Sequence, residues 1–175
     1  MQSAVDQAAE LLDRARSAGT PVIHIMHDGG AGSPYDVHDT IGQIVDRVAP
    51  RVGEPVIVKN FPNAFTATDL DERLAPGSNL VLAGFMTHMC VNSTARGAFS
   101  LGHHPAVVAS ATATRALPGT DGSVVPAVHC RRRAWPPSPT SSASWWRSPP
   151  TSRPDGHPHH GVPGGRRGSV TTVRS

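Results

Sequence analysis

With 175 residues the sequence has room for one domain with its own core and not for two. Its formal charge of +3 invites a nucleic-acid reading that a count by segment removes: residues 1–127 hold eight Lys and Arg against twelve Asp and Glu, while residues 128–175 hold eight Arg against Asp155 alone. Cys90 and Cys130 suit neither a disulfide framework nor a CxxC metal site, which favours a reducing, cytoplasmic setting; with no charged leader and no apolar run near the ~18 residues of a membrane span, secretion and membrane insertion are not expected.

Ser3 caps a predicted helix whose apolar positions Val5, Ala8, Leu11, Leu12, Ala15 and Ala18 fall at helical spacing, and Gly19 stops it. Val22 to Met26 is a short β-branched run of the kind a buried parallel strand needs, ended by Asp28-Gly29-Gly30. A loop-rich stretch with one short helix around Thr40 to Val48 leads to a second strand, Pro55 to Val58, ending at Lys59. Thr68 is placed to cap a short helix carrying Leu70, Arg73 and Leu74; Pro76-Gly77 closes it ahead of a third strand, Leu80 to Ala83, which Gly84 ends. A helix from His88 or Met89 to Leu101 and a fourth strand, Ala106 to Ala109, follow. Strands alternating with helices predict an α/β fold, a three-layer parallel sheet with helices on both faces.

Past Val125-Pro126 this pattern stops. Residues 128–175 contain eight Pro, eight Ser and all three Trp without apolar periodicity, a composition that predicts a disordered Pro/Ser/Arg-rich tail beside a domain of residues 1–127. A shifted reading frame accounts for it. Moving the frame by two bases turns Trp135-Pro136 into an alanine codon and, with a CGN codon for the Arg, Trp145-Trp146-Arg147 into valine and alanine; with third bases chosen freely elsewhere, the stretch from Ala134 can read as the helix and strand that the alternation was about to deliver.

A thiol becomes a nucleophile as its thiolate, a form favoured at a helix N-terminus beside a cation. Cys90 follows the third predicted strand through Gly84-Phe85-Met86-Thr87 and opens the next helix, at the carboxyl edge where open α/β sheets bind ligands; Lys59 ends a neighbouring strand at that same edge. By residue type alone, Cys90 reads as a small core residue and Lys59 as a solvated charge.

Three stretches together, Val56 to Lys59 with Phe61-Pro62-Asn63-Ala64-Phe65, Leu82 to Val91, and Ala111 to Gly119, closely resemble the isochorismatase-like cysteine hydrolases in wording, order and spacing, over roughly residues 4–127. The resemblance implies a six-stranded parallel sheet of order 3-2-1-4-5-6 and a Cys-Lys-Asp triad, of which Cys90 and Lys59 are two members. It also implies attack of Cys90 on a small amide or related C–N bond, a thioester intermediate, and an oxyanion held by backbone N–H groups of Thr87 and Cys90, with a cis Met86-Thr87 peptide. Phe65 and His88 are the implied substrate contacts. No cofactor and no metal are expected: the Trp-His-Pro signature of metal-binding relatives is absent after His27-Asp28, and His24 and His27, three apart on a strand, point to opposite faces. A small-molecule substrate, a homo-oligomer for the complete domain and no membrane partner complete the expectation.

The sequence departs from the family in one place. The triad Asp stands at the end of the family's first strand, and here the sequence opens on the helix that follows it, so the first strand and its Asp are expected to be lacking. A split central sheet, poor solubility and turnover lowered by about 100-fold to 10,000-fold are the implied consequences. His38 reads as a loop residue, His103 and His104 at a helix exit as surface residues, and His157, His159 and His160 as accidents of the tail. Two rival readings stand beside the hydrolase: a non-catalytic or inert relative, and nucleic-acid binding through Arg131 to Arg133, Arg166 and Arg167 with Trp for stacking, which the acidic body disfavours.

Overall fold

The computed structural model describes residues 2–134 and 169–173. Helix α1 (Gln2–Ser17) buries Ala4, Ala8, Ala9, Leu12 and Ala15, the stripe that a 3.6-residue period produces. Gly19, at a φ of +65°, turns the chain out of the helix toward strand β1 (Val22–His27). The β-branched runs become β2 (Val56–Lys59), β3 (Asn79–Phe85) and β4 (His104–Ala113). A two-stranded ribbon of β5 (Leu117–Pro118) and β6 (Val124–Val125) is followed by helix α3 (Ala127–Ala134). Between β3 and β4 a π-helical turn, Thr87–Val91, runs straight into helix α2 (Asn92–Ser100).

The main sheet has the order β2-β1-β7-β3-β4, and every neighbouring pair is parallel. Its middle strand, β7 (Ser169–Val173), comes from the tail: Val22 to Ile25 pair with Val170 to Val173 on one side, and Leu80 to Gly84 with Ser169 to Val173 on the other. This corrects two expectations. The sheet is continuous, because a backbone segment fills the place left for the first strand of the family order. Residues 128–134 and 169–173 also belong to regular elements, α3 and β7, and not to a disordered tail. The frame-shift readings of residues 135–147 and the histidines at 157, 159 and 160 lie outside the described residues.

Two cores flank the sheet. On one face α1 packs through Ala8, Leu12 and Ala15 with Val22, Ala83, Val108 and Ala111; on the other α2 packs through Ala95 and Ala98 with Ile23, Ile25, Ile57, Leu80, Leu82 and Val107. Alternate residues of β1 and β3 serve opposite faces, as the two-residue period of a strand requires. Short helices fared worse than strands. The stretch from Thr40 to Val48 forms two single 3-10 turns, Thr40–Gly42 and Asp46–Val48. No helix forms at Leu70 to Leu74, where Thr68 Oγ1 bonds Ala64 O at 2.5 Å and so ties the segment into turns.

An ion cluster closes the amino edge of the sheet. Arg16 donates through Nε and Nη2 to the two oxygens of Glu54, at 2.7 Å each, and Glu54 Oε2 also lies 2.9 Å from His24 Nε2 and accepts the Arg51 N–H. The Arg16 hydrogen bond is the main force holding the Glu54 carboxyl down at about 2, while burial pushes His24 below its ordinary value and keeps it neutral. Both depressions have one sign. The unfolded chain takes up protons first, so stability present at neutral pH begins to fall as His24 passes its unfolded value near 6.5, and falls further between the unfolded Glu value of 4.5 and about 2. Melting curves from pH 7 to 3 are expected to show this decline, and Glu54→Gln to flatten its acid limb by about 2 kcal/mol at pH 3. Parallel slopes for the two proteins below pH 5 would contradict it.

Candidate active site

Parallel pairing aligns strand ends, and β1 and β2 end in register with His27 opposite Lys59. Side chains opposite one another in adjacent strands share a face, so both point to the side that carries α2. β3 ends at Phe85 at the same edge of the sheet, separated from β1 by β7 and from β2, the strand of Lys59, by both, so β2 and β3 are not the neighbours expected. There the backbone turns through a cis peptide between Phe85 and Met86, one residue ahead of the Met86-Thr87 bond expected, and enters the π-helical turn that carries Thr87, His88 and Cys90. π-turns widen the helix by one residue and recur at functional sites. Here Met86 O accepts from both Met89 and Val91.

The result is a contact between thiol and amine. Lys59 Nζ donates to Cys90 Sγ at 3.3 Å, and each residue is only 1% exposed. An ammonium group at such depth is costly unless paired. Burial pulls the Lys59 amine below its ordinary value, and the charge and hydrogen bond of Cys90 push the other way. A second neighbour, which the sequence did not reveal, is His27: its Nδ1 lies 3.3 Å from Lys59 Nζ, and its ring meets Tyr35 edge-on at 5.5 Å and 67°. A signal for His27 was present in the alternation of β1, since His27 follows Ile23 and Ile25 on the same face.

Thr87 is fully buried, and among the described residues its hydroxyl has no hydrogen-bond partner. His88 stands at the same edge. Its Nδ1 contacts Thr114 Oγ1 just beyond β4, and burial, with Arg115 nearby, lowers its affinity for a proton. Phe65 is placed elsewhere. Its ring stacks on His103 at 5.8 Å and 21°, toward the opposite end of the sheet, and it packs against the core. His103 was expected at the surface and is 3% exposed, holding Asp71 through Nε2 and the Ser78 N–H through Nδ1. His104 is exposed as expected, and His38 lies in a turn between β1 and β2.

The loop after Lys59 is fixed to α2 by small residues. Thr94 Oγ1 accepts the Ala64 N–H at 3.0 Å, and Asn63 lies so close to Gly97 that an added Cβ would stand 2.5 Å from its Oδ1. Gly97 therefore sets how closely loop and helix approach. His24 takes the opposite face of β1 from His27, and among the described residues no group of three His, Cys, Asp or Glu is arranged to hold a metal ion. No described helix is long and apolar enough to cross a membrane.

A three-layer parallel α/β sheet with a buried thiol and amine in contact at its carboxyl edge is the class of protein these features define. The chain belongs to the isochorismatase family: the family's Isochorismatase domain model matches residues 1–133. It is similar to the secreted isochorismatase effector Isc1 of Verticillium dahliae, 35% identical over 66% of this chain and 62% of that protein. A maleamate amidohydrolase of Pseudomonas putida is 33% identical over 61% of this chain and 58% of that one. The chain thus spans about three fifths of the length of both curated relatives. Among solved structures, an isochorismatase from Pseudomonas putida superposes with a TM-score of 0.71 at 40% identity, over 76% of this chain and 69% of that one.

Proposed function

We propose that the chain is a cysteine hydrolase that cleaves a small amide or related C–N bond through a thioester on Cys90. The observation that carries this reading is the 3.3 Å contact between the sulfur and the Lys59 amine, sealed from solvent at the ligand-binding edge of a parallel sheet. The amidohydrolase among the relatives supports the choice of amide over other carbonyl substrates.

The chemistry runs in two halves. In the first, the Cys90 proton passes to Lys59, the sulfur attacks the carbonyl carbon, and the C–N bond breaks as Lys59 returns the proton to the leaving nitrogen. In the second, water attacks the thioester, Lys59 takes a proton from it, and the C–S bond breaks to release the acid; the proton on Lys59 then balances the freed sulfur. Backbone N–H groups at the start of the Thr87 turn are the proposed oxyanion donors, and Met86 shapes the entry to that turn. His88, on the same rim, is the proposed substrate contact. Phe65, stacked away on His103, takes a structural part. No cofactor or metal enters the scheme, and a domain centred on residues 1–127 working in a reducing compartment agrees with Cys90 and Cys130 being free thiols.

The test is direct trapping. Incubation with a panel of small primary amides, followed by acid quench and mass spectrometry of the intact chain, is expected to show an acyl adduct that maps to the peptide containing Cys90. Turnover of an amide without any adduct at Cys90, under conditions that trap thioesters of other enzymes, would overturn the thioester route.

A further inference from the structure

A buried ammonium has three N–H groups to satisfy, and the sulfur of Cys90 takes one. Among the described residues Lys59 makes no ion pair with a carboxylate; its other hydrogen-bond neighbour is Nδ1 of His27. The placement follows from the fold: β1 and β2 pair with His27 opposite Lys59, both side chains face α2, and Tyr35 braces the imidazole ring edge-on. His27 is well suited to accept. Burial first, and the Lys59 charge second, lower its affinity for a proton, while a hydrogen bond to the Lys59 backbone and, after it, the charge of Asp28 pull the other way. A neutral ring with its proton on Nε2 presents a bare Nδ1 to the amine.

We propose that His27 is the positioning residue of the site: its Nδ1 accepts a hydrogen bond from Lys59 and so holds the amine against Cys90 Sγ through both halves of the reaction. This deepens, and rests on, the reading of the chain as a cysteine hydrolase. No proton moves to His27 at any step. When Lys59 carries the proton taken from sulfur or water, Nδ1 takes one N–H of the ammonium; when Lys59 has passed that proton to the leaving nitrogen, Nδ1 takes an N–H of the amine, and the orientation persists. An imidazole fixes direction without adding charge, so the buried amine remains a willing donor. His88, the other imidazole at this edge, is engaged with Thr114.

The experiment measures alkylation of Cys90 by iodoacetamide in the full chain as a function of pH, resolved by peptide mass spectrometry from Cys130, for the wild type, His27→Leu and His27→Asn. Leucine fills the space without an acceptor, whereas Asn Oδ1 stands one bond beyond Cγ as Nδ1 does. Wild-type Cys90 is expected to react faster than free cysteine at neutral pH. Leucine should slow it by about ten- to a hundredfold, the worth of one hydrogen bond to a charged group, and move the inflection of the profile to higher pH. Asparagine should restore both rate and inflection to within a few fold of wild type. If the Leu variant loses its cooperative melt, His27→Ala, at a position that is only half-buried, replaces it with the same expectation. A wild-type Cys90 no more reactive than free cysteine would sink the hydrolase reading itself. A reactive wild type with an unchanged Leu or Ala profile would sink the role of His27 alone, as would a folded Asn variant as slow as Leu.

Discussion

Cys90→Ala is expected to lower amide turnover by about 10,000-fold or more, the scale on which enzymes lose rate when the nucleophile is removed from a group that acts as a unit. The substitution leaves Lys59 with one acceptor fewer in a site that excludes water, so some stability is lost as well. Cys90→Ser separates the two effects. A hydroxyl of similar size still accepts from Lys59, so the melting temperature should stay near that of wild type, yet oxygen is a far weaker nucleophile at this proton affinity and turnover should remain at the level of the Ala variant. Cys130, which sits on α3 with its sulfur near Val125 O, serves as the control, and Cys130→Ser is expected to turn over normally. Steady-state rates and melting curves of the three variants decide the matter. Residual activity within tenfold of wild type in Cys90→Ala would end the assignment of Cys90 as nucleophile.

The second large effect is structural. Deletion of residues 169–175 is expected to destroy the cooperative fold, because β7 is bonded on both sides and removal strips partners from β1 and β3 together. Each backbone group left buried without a partner costs about 1–3 kcal/mol, and a domain of this size has only about 5–15 kcal/mol in total. The apolar inner faces of Ile23, Ile25, Leu80 and Leu82 would then border a gap, a template for pairing with other chains. Thr171→Pro, which removes one ladder donor in the middle of a central strand, should act in the same direction more mildly. Loss of the sharp melt and a shift of the protein to large aggregates in size-exclusion chromatography are the expected readouts. A truncated chain that melts as sharply and as high as the full one would show that β7 contributes nothing to the sheet.

Much of this was legible in the sequence because parallel strands announce themselves. The runs Val22–Met26, Val56–Lys59, Leu80–Ala83 and Ala106–Ala109 are short, mostly apolar and bounded by Gly, Pro or charge, and all became strands. Cys90 and Lys59 could be paired in advance because both follow strand ends, and strand ends in a parallel sheet converge. What escaped was set by contacts over long separations. Thr68 donates its hydroxyl to Ala64 O and accepts the Leu70 N–H, yet turns and no helix follow, and His103 looked like a surface residue at a helix exit until the loop carrying Asp71 closed over it. Phe65 has a family role by wording but a ring turned toward His103. The segment Val170-Thr171-Thr172-Val173 carries four β-branched residues in a row, the signal of a strand, but it stands within a stretch whose Pro, Ser and Arg content hid it. Nothing local could place that segment between β1 and β3, since its partners lie far back along the chain.

That placement governs how the molecule can be made. On the ribosome the margins that flank the middle of the sheet emerge first and must wait, unpaired, while the 83 residues between β3 and β7 are translated. A sheet whose middle strand comes so long after its flanks closes through contacts of high sequence separation that are slow to form. The half-made product presents two raw strand margins to its neighbours throughout that interval, so yield should depend more on synthesis rate, temperature and holding chaperones than the finished structure, with its margins joined, would lead one to expect.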